Sequence, residues 1–162
     1  MIARAATIAD AEVIAAIYNE GIEDGAATFE TRLRSAEDVV KWFDGVHPVA
    51  VVEKDGTIVA FASTSTYRPR DCYAGIAEAS VYVARDARGQ GAGRAALAEL
   101  IRLAEAAGFW KLLSRIFPQN KASRGLVGSM GFREVGVYEK HGKLKGEWSD
   151  VVIVERLIDS NL

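Results

Sequence analysis

Apolar residues recur along this chain with two different periods, and the switches between them divide it into elements. In "TIADAEVIAAIYNEGIED" Val13, Ile14, Ile17 and Tyr18 fall three and four apart, the spacing of one helix face. Thr7 and Asp10 carry the spacing of a capping box, so a helix is predicted from near Ala9. Ser35 and Asp38 repeat that signature at the head of "SAEDVVKWF", a second short helix. The polar "GAATFETRLR" between them reads as a loop with one exposed aromatic, Phe29. The period then shortens: "VAVVEK", Asp55-Gly56 and "TIVAFASTSTYR" read as strand, tight turn and strand. "IAEASVYV" is a further strand. After "RDARGQGAG" the helical period returns from about Gly91 to Ala107, with Leu97, Leu100, Ile101 and Ala104 on one face and Gly108 as its stop. "KLLSRIF" reads as a buried strand, "NKASRGLVGSM" as a short helix, and "REVGVYEKHG" with "WSDVVIVERLI" as a closing pair of strands. Helices fall both before and among the strands, which predicts a single α+β, or mixed α/β, domain over residues 1–162.

Composition narrows the function. With 162 residues, 49% of them apolar, the chain can build one sizeable core. Lys and Arg number 20 against 22 Asp and Glu, so no strong overall field favours nucleic acid or an anionic membrane, and any anion site has to be local. Cys72 has no second cysteine to pair with, and no amino-terminal segment has a leader's or membrane span's make-up; the expectation is a cytoplasmic protein. No His/Cys/carboxylate spacing points to a metal.

The local anion site is "RDARGQGAG". Gly89, Gly91 and Gly93 let the main chain turn sharply between strand and helix, and the helix's first turn leaves N–H groups unpaired at the positive end of its dipole. Such donors suit a phosphate, with Arg88 and Arg94 bracketing the loop. Taken alone, the glycines fit a plain connecting turn equally well. "GAGRAA" formally matches a dinucleotide fingerprint, but the acidic residue due after the next strand is missing, and no Gly-Lys-Ser/Thr marks a Walker loop.

Arg88, Gly91 and Gly93 instead spell Arg-x-x-Gly-x-Gly, and here the chain resembles the GCN5-related (GNAT) N-acetyltransferases. "VYVARDARGQGAGRAALAELI" is similar to that family's strand, pyrophosphate loop and helix, and "NKASRGLVGSMGF" to its later Asn-x-x-Ser segment. "AIYNEGI", "ATFET", "YRPRDCYAGIAEASVYV" and "GKLKGEWSDVVIVERLI" resemble the branch that acetylates phosphinothricin, methionine sulfoximine and arsinothricin. The resemblance implies the GNAT fold, a mixed and mostly antiparallel sheet that splays open to take acetyl-CoA as cosubstrate. The cofactor contacts implied are Val81, Tyr82 and Val83 on the splayed strand, Arg88, Gly89, Gln90, Gly91, Ala92, Gly93 and Arg94 in the loop, and Asn120 and Ser123 beyond it. Asn120 also fits the ordinary role of capping its own helix.

An ammonium cannot attack a thioester, so the chemistry needs a base. Glu78, just ahead of the splayed strand, stands where the similar enzymes carry a glutamate; without the resemblance it would read as a solvated strand residue. A main-chain N–H from Val81 or Tyr82 would steady the oxyanion. For a glutamate-like acceptor, Tyr67, Arg68, Arg70 and Tyr73 in "YRPRDCY" offer anion-binding forks and hydroxyls, and Thr28, Phe29 and Glu30 match a loop that closes the pocket. The branch carries a histidine three residues before the residue matching Trp148; here that residue is Lys145. Neither His141 nor His47 inherits the role, and Tyr138 reads as either a general acid or a packed strand aromatic. The expected protein is a homodimeric N-acetyltransferase for a small amino-acid-like amine, conferring resistance. The alternatives are acetylation of protein amino termini or lysines, and a non-catalytic acyl-CoA sensor.

Overall fold

The computed structural model describes residues 1–162. A strand that the hydrophobic pattern does not announce, β1 (Ile2–Ala5), opens the chain, followed by a 3-10 turn (Ile8–Asp10), α1 (Ala11–Asp24) and α2 (Ala36–Val40). β2 (Val49–Lys54), β3 (Thr57–Thr66) and β4 (Ile76–Val83) precede α3 (Ala92–Ala106). The chain closes with β5 (Lys111–Ile116), α4 (Lys121–Ser129), β6 (Arg133–Leu144) and β7 (Glu147–Leu157). The seven strands form one sheet in the order β1-β2-β3-β4-β5-β7-β6. Only β4 and β5 run parallel, because α3 carries the chain across between them.

β1 escapes the sequence reading because four residues cannot display a period, and its exposed edge position spares it an apolar run. Arg4 ties it down: its guanidinium donates to Asp10 at 2.8 Å and to Glu53 at 3.0 Å. The same guanidinium holds the Asp10 carboxyl below the usual carboxylate range, against the opposing effect of burial. Asp10 also accepts the Thr7 N–H at 2.8 Å, so the expected cap forms, but it heads a 3-10 turn and α1 proper starts at Ala11. α1 is also rotated from the face expected: Ile14 and Ile17 are buried with Ala11 and Ala15, whereas Val13 is exposed.

Both faces of the sheet are covered. Ala50, Val52, Ala60, Ala62, Ala77 and Ala79 meet α3 through Ala92, Ala96, Leu97, Leu100 and Ala104. Alanine against alanine brings α3 close to the sheet, so enlarging one of these residues would overpack the layer at about 1–3 kcal/mol. Val49, Val51 and Phe61 face α1 and Val39 of α2 on the other side. That double coverage is why "VAVV" is continuously apolar. Asp55 and Gly56 take φ of 53° and 78°, the left-handed geometry that the hairpin turn between β2 and β3 requires.

Two expected boundaries move. β3 ends at Thr66, so Tyr67 and Arg68 belong to the following turn and not to the strand. β6 runs on to Leu144, with an irregularity between Tyr138 and Gly142 that carries Lys140 at φ 47°.

Candidate active site

β4 and β5 pair through Ile76, Ala77 and Glu78 only. Past Glu78 they part, and Ser114 bridges the opening by donating its hydroxyl to the Ala79 carbonyl at 2.8 Å. The edge of Ala79–Val83 that would have met β5 therefore faces a gap. Along β4, Ala77 and Ala79 point toward α3, while Tyr82 packs on the α1 side, so alternation sets Glu78 and Ser80 on the α1 side too.

The gap widens into a cleft of about 420 Å³. Val81, Tyr82, Val83, Arg88, Gly89, Gly91, Gly93, Arg94, Asn120 and Ser123 line it. Gly89 and Gly91 have φ of 75° and 88°, which a side chain would strain, and a Cβ on either would meet open space. The first bond into α3 runs from Ala95 N–H to the Gly91 carbonyl, leaving the N–H groups of Ala92, Gly93 and Arg94 without intrahelical partners. A pyrophosphate fits that cradle, and the long apolar-walled cleft beside an unpaired strand edge fits the rest of acetyl-CoA.

The charged rim is already engaged. Asp24, at the end of α1, pairs with Arg88 at 2.7 Å and Arg85 at 2.9 Å, and these hydrogen bonds, Arg85 first, hold its carboxyl below the usual range. Arg88 also donates to the Val83 carbonyl at 3.3 Å, and Arg94 to Ser129 at 2.8 Å. Asn120 accepts the Ser123 N–H at 3.2 Å, so it caps α4 as well as facing the cleft. Two loop residues contribute no side chain: Gln90 turns outward to accept from Lys54 at 2.6 Å, and Ala92 is buried beneath the loop. Only their main chain can meet a ligand.

Glu78 is half-buried, and its Oε1 accepts from Arg115 Nη2 at 2.8 Å. Arg115 was missed by sequence reasoning. The alternation Leu113, Arg115, Phe117 in "KLLSRIF" puts a cation among apolar residues of one strand face, and that break is the signal that could have found it. Ser80, Ser114, Arg115, Asn120 and Ser123 line a narrow extension of the cleft, which leads from the glycine loop's side of the gap toward the Glu78–Arg115 pair.

Residues proposed for the acceptor are more scattered. Phe29 is not exposed as expected: its ring packs edge-on against Phe117, with centroids 4.8 Å apart, and lies over Gly142. Asn19, which lies in the "AIYNEGI" segment but was given no role, holds this loop by a reciprocal pair of 2.8 Å bonds with the Arg34 main chain. Thr28 accepts the Glu30 N–H at 3.1 Å, and burial pushes the phenols of Tyr18 and Tyr82 up, so neither gives up its proton readily. Glu30 pairs with Arg34 at 2.8 Å. In the turn after β3, Arg68 stacks over Tyr67 and Arg70 over Tyr73, while Tyr67 and Tyr73 meet edge-on with centroids 5.6 Å apart. None of the four lines the cleft. Tyr138 is exposed and stacks on His141 at 4.6 Å, also away from the cleft. The Lys145 ammonium, from the β6–β7 turn, instead lies beside Gly25 at the end of α1.

Residues 15–132 match the model of the Acetyltransferase (GNAT) family. The chain is 35% identical over 158 residues to a phosphinothricin N-acetyltransferase of Alcaligenes faecalis, covering 93% of this chain and 79% of that one. It is 32% identical to an L-methionine sulfoximine/L-methionine sulfone acetyltransferase of Pseudomonas paraeruginosa, covering 96% and 94% of the two chains. Among solved structures, a Salmonella typhimurium protein with acetyl-CoA as its cofactor superposes with a TM-score of 0.93 at 31% identity, covering 98% and 94%.

Proposed function

Because the chain belongs to the GNAT acetyltransferase family and is an acetyl-CoA-dependent N-acetyltransferase, we propose that it acetylates the α-amine of a small glutamate-like amino acid, of the phosphinothricin, methionine sulfoximine or arsinothricin type. Acting in the cytoplasm, it would confer resistance to such compounds. The observation that carries this reading is where β4 leaves β5: pairing stops at Glu78, two residues ahead of Ser80, the first β4 residue to line the cleft, and the Arg115 that holds Glu78 lines it too.

When bound, acetyl-CoA supplies an activated acyl thioester. The N–H groups of Ala92, Gly93 and Arg94 would hold its pyrophosphate, with Arg88 and Arg94 exchanging part of their contacts to Asp24 and Ser129 for phosphate oxygens. Asn120 and Ser123 support the far wall. Glu78 takes the proton of the incoming ammonium, directly or through one water, with Oε1 held by Arg115 and Oε2 left as acceptor. A β4 main-chain N–H from Val81 or Tyr82 would donate to the oxygen that gains charge as the amine attacks; the amide C–N bond would form as the thioester C–S bond breaks, and the coenzyme A thiolate would leave and take a proton from solvent. The turn arginines Arg68 and Arg70, with Tyr67 and Tyr73, bind the acceptor's α-carboxylate, and Thr28, Phe29 and Glu30 form the loop that covers it.

The working form we propose is a homodimer joined along β6. This twelve-residue edge strand leaves Val135, Val137 and Tyr138 about half exposed, and Trp148 on β7, opposite Lys143 farther along the pair, is exposed as well. A second copy would cover that apolar edge.

Glu78→Gln tests the chemistry. Turnover of phosphinothricin or methionine sulfone should fall by about two to four decades, the usual range for loss of a general base, with acetyl-CoA affinity kept. Undiminished turnover across the pH range would remove Glu78 from the mechanism. Light scattering on the same preparation should give twice the chain mass at micromolar concentration; a single chain mass would remove the dimer.

A further inference from the structure

A second cavity, of about 340 Å³, opens on the face of the sheet that carries Glu78, between α2 and the end of β3. Its polar lining comes from Lys41, Asp44, His47, Ser63, Ser65 and Ser80, and Trp42 forms an aromatic wall. The strand register explains its floor. Ser63 lies opposite Ser80, and Ser65 lies opposite Glu78, so three hydroxyls form a patch that ends at the proposed base. Thr64, on the opposite face of β3, gives its hydroxyl to the Pro48 carbonyl at 2.8 Å. The hydroxyls of Ser63, Ser65 and Ser80 make no such bond and remain available to a ligand.

The opposite wall carries one anion, Asp44, whose charge is taken up by its own neighbours, and one cation, Lys41, that pairs with no carboxylate. Lys41 follows α2, whose Asp38 is paired with Arg32, and precedes Asp44, which is paired with His47 at 2.6 Å. Burial alone would raise the Asp44 carboxyl, but bonds from the His47 N–H and ring and from the Val46 N–H bring it down to about 2. Asp44 therefore stays a committed anion that fixes the His47 ring, which also packs on Phe109 with centroids 5.6 Å apart. Asp38 and Asp44 are each engaged elsewhere, and Lys41 forms an ion pair with no carboxylate. A cation, three free hydroxyls and a held imidazole converge on a pocket of side-chain size.

We propose that this cavity is the subsite for the distal end of the acceptor, and that it selects amino acids whose side chains end in an anion: a carboxylate or a tetrahedral oxyanion such as a phosphinate. Resting on the reading of Glu78 as the base, the assignment sends the α-amine toward Glu78 and the side chain across Ser65 toward Lys41. Hydroxyls can serve neutral and charged oxygens alike; Lys41 supplies the preference for charge.

Isothermal titration with phosphinothricin, which ends in a phosphinate anion, and methionine sulfone, which ends in a neutral sulfone, tests the proposal. The expected result is that the affinity ratio of phosphinothricin to the sulfone falls tenfold or more in Lys41→Met, is kept in Lys41→Arg and falls about threefold in Ser65→Ala. Those changes correspond to the loss of one charge-assisted and one neutral contact. A ratio unchanged in both Lys41→Met and Ser65→Ala overturns the assignment, as does a wild-type protein that binds no phosphinothricin. Thiol release from acetyl-CoA is read separately. Phosphinothricin binding with the expected signature, but no turnover of either amine, would overturn the proposed function and leave the anion subsite standing.

Discussion

The two sides of the Glu78 carboxylate are built by different means. On the cofactor side, the cradle is almost entirely main chain: glycines at positive φ, the open first turn of α3 and the unpaired edge of β4, all within residues 79–94. On the acceptor side, every candidate group is a side chain. They come from α1, the 25–34 loop, the stretch after α2, β3, the 67–73 turn and the β6–β7 hairpin. A main-chain site is fixed by geometry that few residues can adopt, whereas a side-chain pocket can change its ligand with one substitution and keep the fold. Relatives named for different amines can therefore share the first side and differ in the second.

Damage to the main-chain cradle should have the largest effect. Gly91→Asp introduces negative charge where we place the pyrophosphate, and a Cβ at φ 88°. We expect acetyl-CoA affinity to fall by at least about two decades, with amino-acid binding, read by titration, retained. The left-handed backbone alone costs a non-glycine residue about 1–2 kcal/mol, and Asp and Asn are alike in visiting that region more readily than other side chains. Gly91→Asn should therefore melt close to Gly91→Asp yet bind the cofactor better. Equal cofactor loss in the two variants would mean that backbone strain, not charge, explains the effect.

The turn arginines carry the next largest effect. If Arg68 or Arg70 holds the α-carboxylate, its replacement by Ala should cost about 1.5–3 kcal/mol of charge-assisted contact, with solvent exposure pulling the result toward the lower figure, roughly tenfold in acceptor kcat/KM. Phosphinothricin and methionine sulfone both carry an α-carboxylate, so both should lose equally, in contrast to the Lys41 variants. A plain amine with no carboxylate should not respond. An equal loss for that amine would mean that the cation–π stacks on Tyr67 and Tyr73 support the fold of the turn and nothing more.

How far the sequence could be read follows the same division. The strand, glycine loop, α3 and the Asn120–Ser123 segment were legible because each depends on local spacing and on conformations that glycine alone adopts without strain. The β2–β3 hairpin was legible from Asp55-Gly56 for the same reason. Phe29 was not: a lone aromatic in a polar loop looks exposed until Phe117 and Gly142, far along the chain, come beneath it. Arg115 and the Ser63–Ser65–Ser80 floor were hidden because they arise from strand register, β4 against β5 and β3 against β4, which no single segment encodes. The "YRPRDCY" turn shows the converse. Its residues advertise anion binding, yet in the folded chain they stack on one another, and their use depends on an acceptor reaching them.

The smallest expected effect probes how tightly the covering loop must sit. A Cβ on Gly142 would come within 2.9 Å of the Phe29 ring, closer than real contacts allow, so Gly142→Ala must move the ring or the hairpin beneath it. Phe29 is wedged against Phe117 and has little room on that side, while its own loop is held at the base by Asn19. The ring, with Thr28 and Glu30 beside it, should lift away from β6 by a few tenths of an ångström. On the reading of this loop as the acceptor's cover, KM for the amino acid should rise about threefold, the scale of one weakened contact, while acetyl-CoA affinity and kcat hold. Phe29→Leu in the Gly142→Ala background, which trims the ring where the new methyl intrudes, should recover part of the loss. A rise in the acetyl-CoA KM instead would mean that the loop leans on the cofactor, and the division between a main-chain side and a side-chain side would then fail at Phe29.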